Sequence, residues 1–414
     1  MAFDPIQSLA AVRHEFGEHG GVNMSIEAST TFTVMDAKTM PEIFAGAVGP
    51  DTGGCYLYGR HFNPTVYTLG RYLAAMEGTE AAYCTSSGMG AISAAVMQHL
   101  EPGDEVVSAI TVYGGTYALF EKFLPEKMGI KVHFVDATDN AAVAAAMTDR
   151  TKVVYCETMS NPTLTVIDIP ALADIAHQRG AKLIVDNTFA PIIVSPAQLG
   201  ADVVIHSLTK FVSGGSDIIA GAVCGSKEFI TQMMDPNGGA LMLLGPTMHP
   251  SVAFDLSLRL PHLGLRMREH SARAQLFAER LEQLGLAVWY PGISSHPGHA
   301  RLSGMMNPGY GMGGLFGIDL GSREVAFEFM DYLQNTHAFG YDAVSLGYFE
   351  TLMSCSGSST SSEMSEEDLI AAGIRPGFVR VSIGYTGDVE ARWAQFEDGL
   401  RKVGVLNPTA VSGG

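Results

Sequence analysis

Residues 201–215 read Ala201-Asp-Val-Val-Ile-His-Ser207-Leu-Thr209-Lys210-Phe-Val-Ser-Gly-Gly215, so a lysine follows closely on an apolar, strand-like run. Two hydroxyl side chains, those of Ser207 and Thr209, precede this lysine, and glycines come soon after it. Pyridoxal 5′-phosphate (PLP) needs an amine for its aldehyde and small hydrogen-bond donors for its phosphate, and this cluster supplies both. A single lysine after a strand is more often a solvated loop residue, so the prediction depends on its surroundings. With that support, the stretch predicts a buried strand that ends in a Schiff-base lysine, Lys210.

A second apolar run, shortly before the first, ends in a carboxylate. It reads Leu183-Ile-Val-Asp186-Asn-Thr-Phe. An aspartate at the end of such a strand can hold the pyridine nitrogen of PLP in its protonated form, which keeps the ring an electron sink. Asp186 is therefore predicted to act together with Lys210.

Short Val/Ile-rich runs alternate with helical patterns between residues 63 and 252. Such alternation predicts a PLP-binding α/β domain with a mostly parallel sheet that helices cover on both faces. Residues 1–62 are rich in Gly, Thr and Asn, have little helical periodicity outside residues 37–45, and predict an extended N-terminal arm. Residues 253–414 combine a long amphipathic pattern, Gly-rich turns and a last helix near residues 388–403, which predicts a C-terminal α+β domain. The strand candidates of the α/β domain begin at Glu105, Val132, Val153, Leu183 and Val203.

The composition limits the classes of partner. The chain has 414 residues, of which 47% are hydrophobic and only 16% are charged, which suggests surface buried between subunits. A formal net charge of −18 argues against nucleic acid or an anionic membrane as a partner. Five cysteines without a CxxC pair, no apolar run of membrane-spanning length and no basic-then-apolar leader predict a cytoplasmic protein with reduced thiols. The thirteen histidines show no HExxH or paired ligand spacing, so no metal site is predicted.

A turn of small residues precedes a helix start in Ala82-Tyr-Cys-Thr-Ser-Ser-Gly88-Met89-Gly90. The backbone N–H groups of Gly88 and Met89 would point at an anion, which the helix dipole also favours. Ser/Gly-rich turns before helices are common, so this turn alone is weak support. It gains weight because Ser207 and Thr209 can serve the same phosphate at the carboxyl ends of the strands in an open α/β sheet.

Two further turns supply candidates for contact with the cofactor ring. In Thr111-Val-Tyr113-Gly-Gly115, Tyr113 could lie over the ring while the glycines leave room, although a core tyrosine is the alternative. A phenol held there can also carry a proton to a leaving group. In Glu157-Thr-Met-Ser-Asn161-Pro162, Asn161 could hydrogen-bond the ring hydroxyl.

Five motifs form a set that is spread over the chain: Tyr58-Gly-Arg60-His-Phe-Asn63-Pro64-Thr65, Ser86-Ser-Gly-Met89, Glu157 to Pro162, Val185-Asp-Asn-Thr188 and Ser207-Leu-Thr-Lys210. With these motifs the chain resembles the Cys/Met-metabolism family of PLP-dependent enzymes over nearly its whole length. The resemblance implies the fold-type I, aminotransferase-like architecture and a homotetramer made of dimers with shared active sites. Within the family the chain is most similar to the plant-type methionine γ-lyases.

The resemblance implies a role for each residue of the cofactor site. Lys210 would be the Schiff-base lysine, Asp186 the partner of the pyridine nitrogen and Tyr113 the stacked ring. The phosphate would be held by Gly88, Met89, Ser207 and Thr209.

The same resemblance implies contacts with a neighbouring subunit and with the substrate. Tyr58 and Arg60 would reach the phosphate of the neighbouring subunit, which explains an arm that makes little sense in a monomer. Arg60 suits this role because its planar guanidinium can grip phosphate oxygens bidentately. Arg380 would clamp the substrate carboxylate in the same way, with Ser345 and Asn161 beside it. Without the resemblance, an arginine in a strand is as easily a surface ion pair.

The implied reaction is α,γ-elimination of a sulfur amino acid, first of all L-methionine to 2-oxobutanoate, ammonia and methanethiol. Two alternatives stay open: a γ-replacement synthase of the cystathionine γ-synthase or O-acylhomoserine sulfhydrylase type, and a γ-lyase that prefers cystathionine or homocysteine. Microbial methionine γ-lyases often have a cysteine at the position of Gly115, and many family members have a different loop at residues 357–362. The chemistry is therefore better determined than the substrate. The intact Lys210, Asp186 and Tyr113 argue against a catalytically silent binding protein.

Overall fold

The computed structural model describes residues 3–13, 16–17, 19–45, 47–50, 56–355 and 374–406. The loop at residues 357–362, which bears on substrate choice, lies outside these residues, and so does Cys55.

The larger of two sheets is mostly parallel, which confirms the α/β, fold-type I prediction. Its strands are β1 Ala81–Thr85, β2 Glu105–Ala109, β3 Lys131–Val135, β4 Thr151–Glu157, β5 Lys182–Asp186, β6 Val203–Ser207 and β7 Gly221–Gly225. They lie in the order β1-β7-β6-β5-β4-β2-β3, and within the described residues only β7 runs antiparallel to its neighbours. The carboxyl ends of the other strands therefore meet at one edge, where open α/β sheets bind ligands.

Helices follow most of these strands and carry the chain back to the start of another, which is the crossover that parallel strands require. The α-helices are α1 Pro5–Val12, α2 Thr39–Phe44, α3 Pro64–Glu77, α4 Gly88–Gln98, α5 Gly114–Ala118, α6 Leu124–Met128, α7 Asn140–Ala146, α8 Ile169–Gln178, α9 Lys227–Met233, α10 Ala240–Leu244, α11 Pro250–Arg259, α12 Leu263–Gln283, α13 His299–Met305, α14 Arg323–Asn335 and α15 Val389–Lys402. A π-helical turn, Leu119–Phe123, joins α5 to α6, and 3₁₀ turns span Pro196–Leu199 and Leu260–His262.

The smaller sheet belongs to the C-terminal part of the chain. Its strands are β8 Val288–Trp289, β9 Leu315–Asp319, β10 Gly340–Asp342, β11 Thr351–Cys355 and β12 Phe378–Ser382. They lie in the order β10-β11-β12-β9-β8, with β10 and β11 parallel and the other pairs antiparallel. Buried apolar residues form two clusters, one around the larger sheet and the start of α12 and one between the smaller sheet and α12, α14 and α15. The division of the chain at residues 62 and 252 stays a prediction.

The arm contains a helix that the sequence analysis missed. α1 begins after Asp4, whose carboxylate accepts the N–H groups of Ile6 and Gln7, each at 2.9 Å. Pro5 occupies the first helical position, where its missing N–H costs nothing. An aspartate followed by proline is a helix start signal, and the short apolar pattern behind it was too brief to show helical periodicity.

The described helices include none that is long and apolar enough to cross a membrane. Cys84, Cys156 and Cys224 are free and buried, and Cys355 is also buried. Over the same described ranges, no cluster of three or more His, Cys, Asp or Glu is arranged to hold a metal ion.

Candidate active site

A cavity of about 190 Å³ opens at the carboxyl edge of the larger sheet. A single water needs only roughly 10–15 Å³ of such space, so the cavity can admit a ligand. Its walls come from the ends of β4, β5 and β6, the start of α4, and segments next to the smaller sheet. The lining residues are Ser87, Gly88, Met89, Ile92, Tyr113, Glu157, Met159, Asn161, Asp186, Thr188, Phe189, Ser207, Lys210, Ile219, Val344, Leu346 and Arg380.

Lys210 presents its amine to this cavity from the turn after β6. Its Nζ donates a hydrogen bond to Oγ of Ser345 at 3.0 Å. Burial, and then the nearby Arg380 guanidinium, lower the pKa of Lys210 from 10.5 to about 8. Near neutral pH a far larger fraction of this amine is therefore neutral than in an ordinary lysine, and the neutral amine is the form that attacks an aldehyde.

Two carboxylates lie side by side on the cavity wall. Glu157 and Asp186 are register partners at the ends of β4 and β5, and register partners project from the same face of a sheet. Burial raises the pKa of Asp186, while hydrogen bonds from Thr188 act in the opposite direction. Burial, and then the neighbouring Asp186 carboxylate, raise the pKa of Glu157 well above its usual value. A protonated ring nitrogen next to Asp186 would offset this repulsion.

The start of α4 forms a cradle that suits an anion. Ser87 precedes the helix, and its Oγ accepts the N–H of Gly90 at 3.0 Å. The first N–H groups of a helix, here those of Gly88 and Met89, have no partner inside it and attract negative charge. A Cβ on Gly88 would lie 2.8 Å from Cβ of Ser207, so glycine is needed for this close approach.

Tyr113 stands at the mouth of the cavity and is 44% exposed. It directly precedes α5, and its N–H donates to Oε1 of Glu157 at 2.6 Å. A Cβ on Gly115 would lie 2.7 Å from the Tyr113 ring and 3.3 Å from the sulfur of Met89. Gly115 therefore leaves room for the Tyr113 ring.

Arg380 is the buried cation of the site, with an exposed fraction of 1%. Its Nη1 donates to Oδ1 of Asn161 at 2.9 Å, and its Nη2 donates to the carbonyl oxygen of Ser345 at 2.8 Å. Its Nε has no hydrogen-bond partner among the described residues, and burial lowers the pKa of Arg380 to about 10. A buried, partly unsatisfied guanidinium favours an anionic ligand such as a carboxylate.

Four predicted residues are not part of the cavity lining of their own chain: Tyr58, Arg60, Thr209 and Ser345, of which Ser345 is hydrogen-bonded to Lys210. The Thr209 hydroxyl bonds the backbone of Ala220, accepting its N–H at 3.0 Å and donating to its carbonyl at 3.2 Å. Nη1 of Arg60 donates to the carbonyl of Met242 at 2.8 Å, and the Arg60 guanidinium lies over the Tyr58 ring. Tyr58, Arg60 and Thr209 are thus outside the cavity wall that the described residues form.

The structure adds residues to which the sequence analysis gave no role. Glu157 begins the motif Glu157 to Pro162, in which the sequence predicts a role only for Asn161. Thr188 donates its N–H to Oδ1 of Asp186 at 2.9 Å, and its hydroxyl accepts the N–H of Ser207 at 2.8 Å, so it joins two strand ends. Its position two residues after an aspartate is the sequence signal of such a turn. Apolar side chains complete the wall: Met159, Phe189, Ile219, Val344 and Leu346.

The residues present fit PLP. The orphaned Nε of Arg380 and the glycine-only approach between Gly88 and Ser207 both indicate space kept for a polar ligand with anionic groups. The donor set has an amine with a lowered pKa, a carboxylate at a strand end and a helix N-terminus at three sides of one cavity. These match the aldehyde, ring nitrogen and phosphate of the cofactor.

The family model for Cys/Met metabolism PLP-dependent enzymes matches residues 7–400. The chain is 60% identical over 395 residues to a methionine gamma-lyase of Arabidopsis thaliana, covering 95% of this chain and 89% of that protein. Its structure is similar to that of a cystathionine gamma synthase from Xanthomonas oryzae pv. oryzae, with a TM-score of 0.86 and 31% identity over 98% of this chain and 100% of the other. A Campylobacter jejuni structure that contains an N′-pyridoxyl-lysine-5′-monophosphate matches with a TM-score of 0.87 and 25% identity, covering 96% of this chain and all of the other. This chain belongs to the Cys/Met-metabolism family of PLP-dependent enzymes.

Proposed function

We propose that the protein catalyses the α,γ-elimination of L-methionine to 2-oxobutanoate, ammonia and methanethiol. The observation that carries the proposal is the 60% identity to a methionine gamma-lyase over 95% of the chain. The geometry supports it, because one cavity brings together the Lys210 amine, the Asp186 carboxylate and the Arg380 guanidinium. An enzyme that processes an amino acid on PLP needs these three groups.

In the proposed mechanism Lys210 binds the cofactor and then moves protons. When bound, PLP supplies the electron sink that makes the Cα proton of the amino acid acidic. The Lys210 amine takes that proton, and its pKa of about 8 suits a base that works near neutral pH. Asp186 holds the ring nitrogen in its protonated form, and loss of a second proton, from Cβ, supplies the electron pair that breaks the Cγ–S bond.

Tyr113 is the proposed acid for the departing sulfur. It lines the cavity and is partly exposed, so its hydroxyl could reach a departing γ-substituent. Proton donation matters because a thiolate is a poor leaving group, whereas the thiol leaves easily. Asn161 is the proposed partner of the ring hydroxyl, and Gly88, Met89, Ser207 and Thr209 are the proposed phosphate ligands.

Arg380 is the proposed clamp for the substrate α-carboxylate. Two of its nitrogens already bond Asn161 and Ser345, which fixes the plane of the guanidinium. The Nε–H and the remaining Nη–H groups are then available to a carboxylate. Ser345 would sit between this clamp and the Lys210 amine, to which it is already hydrogen-bonded.

The proposed oligomeric state is a homotetramer made of dimers with shared sites. The position of Tyr58 and Arg60 outside the cavity of their own chain supports the sharing, because a role on the phosphate would then be exerted at the site of a neighbouring subunit. The cytoplasmic location stays a prediction.

The second candidate is γ-replacement. The structural similarity to a cystathionine gamma synthase favours it. Elimination and replacement need the same groups around Lys210, so the cavity is compatible with either reaction. A lyase that prefers cystathionine or homocysteine is the third. These reactions differ in which molecule enters the cavity after the γ-bond breaks.

A substrate panel separates these candidates. The PLP-loaded enzyme is incubated with L-methionine, L-cystathionine, L-homocysteine, or O-acetyl-L-homoserine plus a thiol, and 2-oxobutanoate and released thiol are measured. With L-methionine as the only substrate present, we expect 2-oxobutanoate and methanethiol in equal amounts. Thioether from the homoserine ester, with methionine inert, would make the protein a γ-replacement synthase.

The assignment of Lys210 has its own test. Borohydride reduction of the holoenzyme should fix the cofactor on the peptide that contains Lys210, as read by mass spectrometry. Lys210→Ala should lose both this label and all turnover, and Lys152→Ala, at a lysine outside the cavity wall, should keep them. A label on another lysine would overturn the assignment.

A further inference from the structure

Glu157 uses both oxygens of its buried carboxylate to hold backbone from two other segments. It is the last residue of β4 and is 5% exposed. Its Oε1 accepts the N–H of Tyr113 at 2.6 Å, and its Oε2 accepts the N–H of Asn161 at 3.2 Å. One side chain thus fixes the distance between the turn that carries Tyr113 and the turn that carries Asn161.

One hydrogen bond ties the Tyr113 backbone to a distant strand. Tyr113 precedes the five-residue helix α5, which has no side-chain N-cap, and within the described residues its carbonyl accepts the local N–H of Tyr117 at 2.9 Å. Its neighbours Val112 and Thr116 are buried, but Tyr113 itself is 44% exposed, and its ring lies over Gly115, which has no side chain to hold it. The bond to Glu157 links this turn directly to the end of β4.

The same carboxylate connects Tyr113 to the other polar groups of the cavity. Asn161 accepts Nη1 of Arg380 through its side chain, Arg380 bonds the carbonyl of Ser345, and the Ser345 hydroxyl accepts the Lys210 amine. Glu157 joins this chain to the backbone of Tyr113. The proposed acid and the proposed base therefore stand at the two ends of one hydrogen-bonded network.

We propose that Glu157 is a positioning residue for this reaction: it holds Tyr113 at a fixed distance from Arg380 and Lys210, so that the phenol reaches the leaving sulfur. The inference rests on the proposed function. Glu157 acts through Tyr113 and does not itself exchange a proton with the substrate. The effect of a Glu157 substitution on turnover should therefore depend on two things: whether the Tyr113 hydroxyl is present, and whether the leaving group must be protonated.

A double-mutant cycle tests this dependence. Glu157→Ala, Tyr113→Phe and the double variant are compared as PLP-loaded enzymes with L-methionine. We expect kcat to fall about 10- to 100-fold in Glu157→Ala, since a misplacement of about 1 Å costs up to that much. Tyr113→Phe should fall by about 100-fold or more, because it removes the proton donor itself. KM should change little in both. The double variant should be no more than about threefold worse than Tyr113→Phe, because residues that act as one unit are not additive. Losses that multiply would overturn the proposal.

The leaving group supplies a second readout that a general structural defect would not change. Acetate leaves O-acetyl-L-homoserine without needing a proton, whereas methanethiolate is a stronger base. Glu157→Ala should therefore lower turnover of methionine about tenfold more than elimination from the ester. Equal losses on the two substrates would overturn the proposal.

Two more variants keep the result interpretable. Glu157→Gln retains one acceptor and the side-chain volume, so we expect a smaller loss with the same substrate dependence, even if the alanine variant folds poorly. Glu105→Gln removes a buried carboxylate at the start of β2, away from the cavity wall, and should leave the ratio of the two substrates unchanged. A wild-type enzyme inert toward methionine would reject the proposed function, and the cycle would then be run on whichever substrate reacts.

Discussion

The two faces of the larger sheet both contain buried titratable side chains, but these side chains are paired in different ways. On one face, Oε1 of Glu77 lies 2.7 Å from Nε2 of His206, and both side chains are 1% exposed. His206 follows Ile205, the register partner of Asp186, so alternation places His206 on the face opposite Asp186. On the cavity face, Glu157 accepts two backbone N–H groups and stands beside Asp186.

The difference separates a structural pair from a ligand-binding site. Glu77 and His206 are hydrogen-bonded to each other, and this bond ties α3 to β6, the strand that leads to Lys210. The carboxylates on the cavity face repel each other, and burial raises the pKa of both. A positively charged ring nitrogen would restore the balance there. Removing a group from the first face should therefore cost stability, and removing one from the second should change chemistry.

The largest effect is expected at Glu77. Glu77→Leu would leave the buried His206 ring nitrogen without its partner, and leaving a buried polar group unsatisfied costs about 1–3 kcal/mol. The double variant Glu77→Leu with His206→Leu should recover part of this loss, because both partners of the hydrogen bond are then removed together. Urea unfolding of the apoenzyme at one protein concentration measures both. A double variant less stable than either single one would show that the pair is not what stabilises this face.

The second effect concerns the pKa of Lys210 on the cavity face. Lys210 has a pKa of about 8, so the rate at which the apoenzyme captures PLP should rise about tenfold from roughly pH 7 to roughly pH 9 and then level off. An ordinary lysine would give about a hundredfold rise without a plateau over that range. Because the Arg380 charge contributes to the lowered pKa, Arg380→Met should move the midpoint to higher pH. Stopped-flow absorbance with borohydride trapping gives the rates, and a midpoint unmoved in Arg380→Met would assign the shift to burial alone.

The features that the sequence predicted correctly are local ones. The apolar runs before Asp186 and Lys210 form β5 and β6, because a buried parallel strand needs only a short continuous run of Val and Ile. The last helix, α15, begins directly after Asp388, whose side chain caps it by accepting the N–H of Ala391. Such signals lie within a few residues of the element that they specify.

The features that were missed depend on contacts between distant segments. β7 has glycine at both ends and little apolar pattern, and a Cβ on Gly221 would lie 2.3 Å from the carbonyl oxygen of Ser87. That glycine is explained only by the turn before α4, which is far away in the sequence. Glu157 was missed for a similar reason: its partner is the backbone N–H of Tyr113, and a backbone donor has no residue type to recognise.

The smallest effect is expected at an exposed ion pair, which sharpens the contrast with Glu77. Arg259 donates to both carboxylate oxygens of Asp217, at 2.6 and 2.7 Å, but the Asp217 side chain is 53% exposed. The hydrogen bonds from Arg259 lower the pKa of Asp217. The pair therefore stabilises the fold at pH values above the usual pKa of an aspartate, and this stabilisation is lost as the pH falls through the lowered pKa of Asp217. Asp217→Asn should cost no more than about 1 kcal/mol at neutral pH, because solvent and salt screen exposed charges. The difference from wild type in urea unfolding should shrink further at high salt, where screening is stronger. A salt-independent loss as large as that of Glu77→Leu would mean that burial is not what distinguishes the two pairs.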